Sequence, residues 1–313
     1  MNGEGCRSIL EELNSKSGML IQRIAEELLF VEPGERIPKI EDLSKKYNVG
    51  RGTVQNVLKK MDERQCIALE SRGHLGTFLR SKDLSMLLAY CGSNSIVGVM
   101  PLPYSKKYEG LATALHEEFG TLNLSYHSAF MQGATVRLDN IMSGRYDFAL
   151  VSRFAAMEAI SKHKELKIAK EFGLHSYVSE HALVFSEAAN GIQDGMKVGI
   201  DSDSIDQKAL TLAEVKDKRV EYVNVNYMHL LKHLKAKTID AMIWNVDEID
   251  DASLHVAPLT AKESLAIAQQ MSQAVCVIHQ DNKKIEYLFR IISDERITAL
   301  QHEVEAGRRI PKY

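Results

Sequence analysis

Residues 40–64 read Ile40-Glu41-Asp42-Leu43-Ser44-Lys45-Lys46-Tyr47-Asn48-Val49-Gly50-Arg51-Gly52-Thr53-Val54-Gln55-Asn56-Val57-Leu58-Lys59-Lys60-Met61-Asp62-Glu63-Arg64. Two helical periodicities lie in this stretch, with a turn between them. Ile40 and Leu43 share the inner side of a short helix over 40–47. Val54, Val57, Leu58 and Met61 form the buried stripe of a longer helix over 51–64. Asn48-Val49-Gly50 separates the two, and Asn and Gly both tolerate the left-handed backbone of a tight turn. A short helix, a turn and a helix with a free polar face is the helix-turn-helix layout, whose second helix enters a major groove by its N-terminal end. Arg51, Thr53, Gln55, Asn56, Lys59 and Lys60 lie off the stripe. Arginine can grip a phosphate or a guanine edge in bidentate fashion, and Gln or Asn can pair with an adenine edge.

Outward from this pair, Leu20, Ile21, Ile24, Ala25, Leu28 and Leu29 line one face of a preceding helix over 17–30, with Ser17 as its cap and Pro33-Gly34 as its stop. Downstream, 67–70 and 76–80 read as two strands joined by Ser71-Arg72-Gly73-His74-Leu75, a hairpin wing. From Arg36 to Arg80 basic residues outnumber acidic ones, although the whole chain of 313 residues carries a formal charge of −3. A basic patch inside an acidic protein is the footprint of a phosphate-facing module. The expected DNA-facing residues are Lys39, Arg51, Thr53, Gln55, Asn56, Lys59, Arg72, His74 and Thr77.

Ile37-Pro38, Leu43, Val49-Gly50-Arg51-Gly52-Thr53-Val54, Leu58 and Gly73-His74-Leu75-Gly76-Thr77-Phe78-Leu79 together resemble the GntR-type winged helix. The resemblance implies that Arg51, Thr53 and the wing carry DNA contacts. Three positions depart from that pattern: Glu41 stands where a basic residue is common, Gly50 where serine is, and Gln55 where arginine is.

From residue 95 onward strands alternate with helices. The run 95–100 is a buried strand, followed by Pro101 to Ser105 and a helix through Leu111, Leu115 and Phe119. A strand over 122–128, a helix from Gln132-Gly133-Ala134 and a strand over 148–151 come next. The phrase recurs as a strand over 197–200, a strand over 220–225, a helix over 227–234 and a strand over 241–244. Arg145-Tyr146-Asp147-Phe148-Ala149-Leu150-Val151 parallels Thr238-Ile239-Asp240-Ala241-Met242-Ile243-Trp244, as if two lobes were built alike. This spacing gives βαβ units and an α/β class overall. The arrangement is similar to the type 2 periplasmic-binding-protein fold, two-lobed. With the terminal run 297–313 (Gln301-His302-Glu303-Val304 through Arg308-Arg309-Ile310-Pro311-Lys312-Tyr313) and the winged head, it resembles the YhfZ family.

The expected organisation is a winged helix-turn-helix domain over 1–82, a linker over 83–94 and a two-lobed effector-binding domain over 95–313. In such a fold the ligand lies between lobes, where loops follow strands and precede helices; helix N-termini there favour an anionic effector. The candidates are Tyr104 and Ser105, Gln132, Gly133 and Ala134, Ser152 and Arg153 at the first crossover, Ser202 and Ser204, and Trp244 and Asn245 at the second. Arg153 could clamp an anion, and Trp244, the single tryptophan, could line the pocket.

Hydrophobic residues at 45% and charged residues at 26% suit sizeable cores in a soluble chain, and no apolar run is long enough to cross a bilayer. The start lacks a signal-peptide pattern, and Cys6, Cys66, Cys91 and Cys276 are scattered without metal spacing, as in a reducing cytoplasm. No phosphate-binding loop, zinc-protease or serine-hydrolase motif is present. His229 and His233 lack a third ligand, Asp201, Asp203 and Asp206 lack calcium-loop spacing, and the acidic run Asp247, Glu248, Asp250 and Asp251 reads as a solvated loop. No cofactor, metal or membrane is called for. The reading is a regulator, not an enzyme, that binds a double-stranded DNA operator as a homodimer under control of a small effector. The alternatives are an enzyme or binding protein whose winged helix is vestigial or protein-binding, and a regulator with a strand-dominated chorismate-lyase-like domain, which the intervening helices disfavour.

Overall fold

The computed structural model describes residues 16–92, 95–249, 251 and 253–313. Cys6 and Asp250 lie outside the described residues. The chain divides into two compact units: residues through Ile96 with Phe119–Tyr126, and Val97–Glu118 with His127–Tyr313.

In the first unit α1 (Lys16–Leu29), α2 (Ile40–Tyr47) and α3 (Arg51–Glu63) precede β1 (Ile67–Ser71), β2 (Thr77–Lys82) and α4 (Leu84–Tyr90). The α1 stripe of Ile21, Ile24, Leu28 and Leu29 is buried, as are Leu43 and the α3 stripe of Val54, Val57, Leu58 and Met61. Asn48 takes the expected left-handed backbone (φ 53°), and its N–H and that of Val49 close the end of α2 on the carbonyls of Lys45 and Ser44. β1 and β2 form the antiparallel wing. Residues 34–37 run beside β2, with Ile37 N–H donating to Thr77 O (3.0 Å) and Leu79 N–H to Glu35 O (2.9 Å). Most of the expected linker is helix: Asp83 caps α4 through Met86 N–H, and α4 packs on α1.

The rest of the chain builds two lobes. The first opens with β3 (Ile96–Met100), α5 (Lys106–Thr121), β4 (Tyr126–Phe130), α6 (Ala134–Met142), β5 (Phe148–Ser152), α7 (Arg153–Lys162) and β6 (Leu166–Glu171). The second contains β7 (His181–Phe185), β8 (Lys197–Ile200), α8 (Ile205–Glu214), β9 (Glu221–Asn224), α9 (Tyr227–Lys235), β10 (Ala241–Asn245) and β11 (His255–Pro258). The chain returns through α10 (Lys262–Met271) to β12 (Ala274–His279), α11 (Lys283–Ile291) and α12 (Asp294–Glu305).

Sheet order is β4-β3-β5-β12-β6 in one lobe and β9-β8-β10-β7-β11 in the other. These are the same topology. Each lobe has a parallel core (β3 with β5, β8 with β10) and one antiparallel strand that enters after a crossover: β7 in the second lobe, β12 in the first. The crossovers are the segments around 172–180 and 259–273. They lie side by side, with Tyr177 N–H donating to Ser272 O (2.9 Å) and Phe172 N–H to Ala274 O (3.0 Å). Ser152–Arg153 and Trp244–Asn245 are therefore not crossovers, as their position in sequence suggested. Each marks the end of the third parallel strand of its own lobe, because the chain continues into a local helix before changing lobes. The second expected strand sits at Tyr126–Phe130, later than 122–128, since Leu122 and Asn123 still belong to the turn that closes α5.

The lobes share detail as well as order. Asp147 Oδ2 accepts from Val97 N–H (2.8 Å) and Asp240 Oδ2 accepts from Lys197 N–H (2.7 Å), so each Asp ties its strand to the start of the neighbouring one. Gly98 and Gly199 sit in those neighbouring strands for the same reason, close approach: a Cβ on Gly98 would lie 2.3 Å from the Phe148 ring, and one on Gly199 2.5 Å from Leu230.

Candidate functional site

The exposed face of α3 presents Arg51, Thr53, Gln55, Asn56 and Lys59, while its opposite stripe is buried. Lys39 is exposed at the N-cap of α2. Arg51 Nη1 lies 2.9 Å from Glu41 Oε1, so the first helix of the pair supplies a carboxylate to the first residue of the second. On the wing, Arg72 stacks over Phe78 (4.4 Å to the ring centroid) and pairs with Glu70 at 3.0 Å, which holds the Glu70 carboxyl below its ordinary range. His74 is exposed at the wing tip, and Thr77 is half-buried at the start of β2. Gly76 holds φ at 99°, a backbone that residues with a Cβ rarely adopt, and the Arg36 guanidinium lies where that Cβ would be.

Between the two lobes lies a cavity of about 320 Å³, within the usual size of small-molecule sites. Its walls are the ends of parallel strands and the starts of α6, α8 and α9. The α8 and α9 starts are self-capped: Ser204 Oγ accepts from Gln207 N–H, Asn226 Oδ1 from Met228 N–H (3.1 Å) and Asp201 Oδ2 from Tyr227 N–H (2.7 Å). The α6 start, with Gly133 at φ 82°, has no side-chain cap.

Of the expected ligand residues, Tyr104, Gln132, Gly133, Ala134, Ser204 and Asn245 come together on the cavity wall. The others lie behind it or away from it. Ser105 is buried at the start of α5, near Tyr108 N–H. Ser152 caps α7 and donates to Asp206 Oδ1 (3.0 Å). Arg153 pairs with Glu171 within its own lobe (3.5 Å). Ser202 Oγ donates to Asn224 Oδ1 (2.9 Å). Trp244 is 5% exposed and stacks flat behind Tyr227, with ring centroids 4.1 Å apart.

Several wall residues were not expected. Arg137 is buried on α6, and its nitrogens donate to Leu150 O (3.1 Å), Met131 O (2.7 Å) and Tyr177 Oη (3.1 Å). The signal was a charged residue on the inward face of an amphipathic helix. His181 lines the cavity with Nδ1 sealed from solvent and unpartnered, and burial pushes its imidazole down to about 4. Burial pushes Asp206 up to about 6 against the opposing Ser152 hydrogen bond and Arg137 charge. The acidic run is not the solvated loop it resembles. Asp247 accepts from Ser179 N–H (2.7 Å), and Glu248 turns to the cavity, accepting from Asn245 Nδ2 (3.1 Å) and Tyr227 Oη (3.4 Å). Burial raises the Glu248 carboxyl. Asp251 stays on the surface and pairs with Lys235. Among the described residues no cluster of three metal-ligating side chains forms, and no helix is long and apolar enough to cross a membrane.

Residues 83–313 match the family model described as the YhfZ C-terminal domain. The chain belongs to the YhfZ family. The YhfZ protein of Escherichia coli (strain K12) is 34% identical over 304 residues, covering 95% of this chain and 98% of that protein. Residues 32–79 match a helix-turn-helix domain model. The crystal structure of YhfZ from Shigella flexneri aligns with a TM-score of 0.61 at 34% identity, over 73% of this chain and 97% of that one. The periplasmic aliphatic sulphonate binding protein SsuA from Escherichia coli aligns with a TM-score of 0.52 at 11% identity, over 68% of this chain and 74% of that one, a likeness of fold alone. The chain thus joins a helix-turn-helix head to an α/β domain whose fold resembles that of substrate-binding proteins.

Proposed function

We propose that this chain is a ligand-responsive transcription regulator of the cytoplasm. A GntR-type winged helix reads an operator, and a small molecule bound between the C-terminal lobes controls it. The observation that carries the reading is the coexistence in one chain of an exposed polar α3 face and an interlobe cavity lined by polar side chains. The expected division at residues 83–94 separates the two modules. Arg51, Thr53, Gln55, Asn56 and Lys59 face the major groove; Lys39, Arg72, His74 and Thr77 face the phosphates or the minor groove. A homodimer places two winged helices on paired half-sites, since one small module binds weakly by itself.

The effector is held by Tyr104, Gln132, Gly133, Ala134, Ser204 and Asn245, together with Arg137, Tyr177 and His181. Ser152 and Asp206 act beside it by joining the lobes. The helix starts suggested an anion, yet two of the three at the cavity are self-capped. Carboxylates outnumber guanidinium groups on the wall. Tyr227 Oη donates to Glu248 on the wall, and we read this pair as a binding contact rather than as a nucleophile with its base.

The test is selection of bound fragments from random duplex DNA by the full chain, with Arg51→Ala as control. A two-fold motif enriched by the wild type and lost in the variant is expected. No motif from either protein would overturn the reading.

A further inference from the structure

The cavity wall carries Asp201, Asp203, Asp206 and Glu248 against the single guanidinium of Arg137. Asp201 is committed to the backbone of Tyr227 and Asp203. Arg137 spends one N–H of each nitrogen on a neutral oxygen of the protein. Glu248 is different. Its two bonds come from a side-chain amide and a phenol, neither of them cationic, and among the described residues no ion pair neutralises it. Tyr104, Tyr108 and Tyr227 line the same cavity. Tyr227 Oη donates to Glu248, and burial first, with the Glu248 charge among the further causes, raises all three phenols.

A desolvated carboxylate among aromatic rings is costly when empty and becomes favourable when a cation arrives. The cation supplies the missing charge partner, and the ring faces attract it. A second, independent feature points the same way. His181 lines the same wall, and burial pushes its imidazole down to about 4, so it stays neutral and adds no positive charge that would repel a cation.

We propose that the cavity takes a small molecule bearing a protonated amine, its ammonium seated against Glu248 among the rings of Tyr104, Tyr108 and Tyr227. This rests on the reading of the cavity as the effector site and names the chemical class it admits.

Trp244 is the only tryptophan and stacks on Tyr227, so its emission reports on the cavity. The full chain is titrated at millimolar concentration with the straight-chain alkylamines from methyl to hexyl, and with the alcohols and carboxylates of the same lengths. A saturable change in emission with at least one amine, absent for the matching alcohol and carboxylate, is expected. Glu248→Gln keeps the shape and one accepting oxygen while removing the charge, and should weaken that binding by about tenfold or more. Tyr104→Ala, at a ring 43% exposed, should weaken it without disturbing the core and serves if Glu248→Gln does not fold. Preference for a carboxylate or an alcohol, silence from every amine, or amine binding indifferent to both variants would overturn the proposal. Carboxylate binding would leave the cavity as effector site while removing the amine. The DNA selection, which needs no ligand, reads the regulator itself.

Discussion

The Ser152 hydroxyl donates to Asp206 Oδ1 at 3.0 Å and so ties the end of β5 in one lobe to the first turn of α8 in the other. The bond lies beside the interlobe cavity, whose wall includes Asp206 but not Ser152. It belongs to the closed arrangement, since separating the lobes would break it.

Asp206 should make stability fall as pH rises. Burial lifts its carboxyl from 3.8 to about 6 in the native state. The unfolded chain therefore releases this proton first, and stability is lost between the ordinary aspartate range and about pH 6. Asp206→Asn retains an acceptor for Ser152 and removes the charge. Thermal melts should show the variant more stable than wild type at pH 7, on the order of 2–3 kcal/mol, with the two curves converging near pH 4.

Glu41 should restrain DNA binding. Its carboxylate occupies the Arg51 guanidinium at 2.9 Å, and both groups are exposed. Exposed pairs are weak, so the restraint is small. Glu41→Ala should raise affinity for a selected duplex by about two- to fivefold at low salt, measured by fluorescence anisotropy. Arg51→Ala should lose the preference for that duplex.

Gly98→Ala should destabilise the first lobe by about 1–3 kcal/mol, as overpacking does. The new methyl would fall 2.3 Å from the Phe148 ring, which is itself buried against Phe289. Adding Phe148→Leu should return part of the loss, and a double-mutant cycle on thermal melts measures the coupling.

Asp147→Ala should cost about 1–3 kcal/mol, because it leaves a part-buried strand N–H without its carboxylate, and Asp240→Ala should cost less, because the Lys197 N–H is exposed and can turn to water. Denaturant titration of the two variants should show losses in that order; a larger loss from Asp240→Ala would contradict it.

The repeated phrase shows why much of the fold was legible. Asp147 and Asp240 precede strands with equivalent places in equivalent sheets, so a local resemblance in sequence reflects a local resemblance in structure. The helix-turn-helix was legible for a like reason: every contact defining it lies within a few turns of chain. β7 and β12 left no such mark. Each is a plain buried run whose sheet neighbours lie far away in sequence, and nothing in the run names them. The cavity was legible where it uses strand ends and helix starts, as at Tyr104, Gln132 and Asn245. It was hidden where side chains reach it from helix faces and from the crossover, as with Arg137, Tyr177 and His181. Glu248 was masked by its acidic neighbours, of which Asp251 is indeed at the surface.

Ligand control of DNA binding is tested most directly by loosening the lobes without touching α3. Ser152→Ala combined with Asp206→Ala removes the interlobe bond, and the affinity of this variant for the selected duplex is compared with that of wild type by anisotropy, with circular dichroism to verify the fold. A change of about fivefold or more, the usual size of coupling between sites, is the predicted result. Equal affinities in two well-folded proteins would contradict the coupling of cavity to operator.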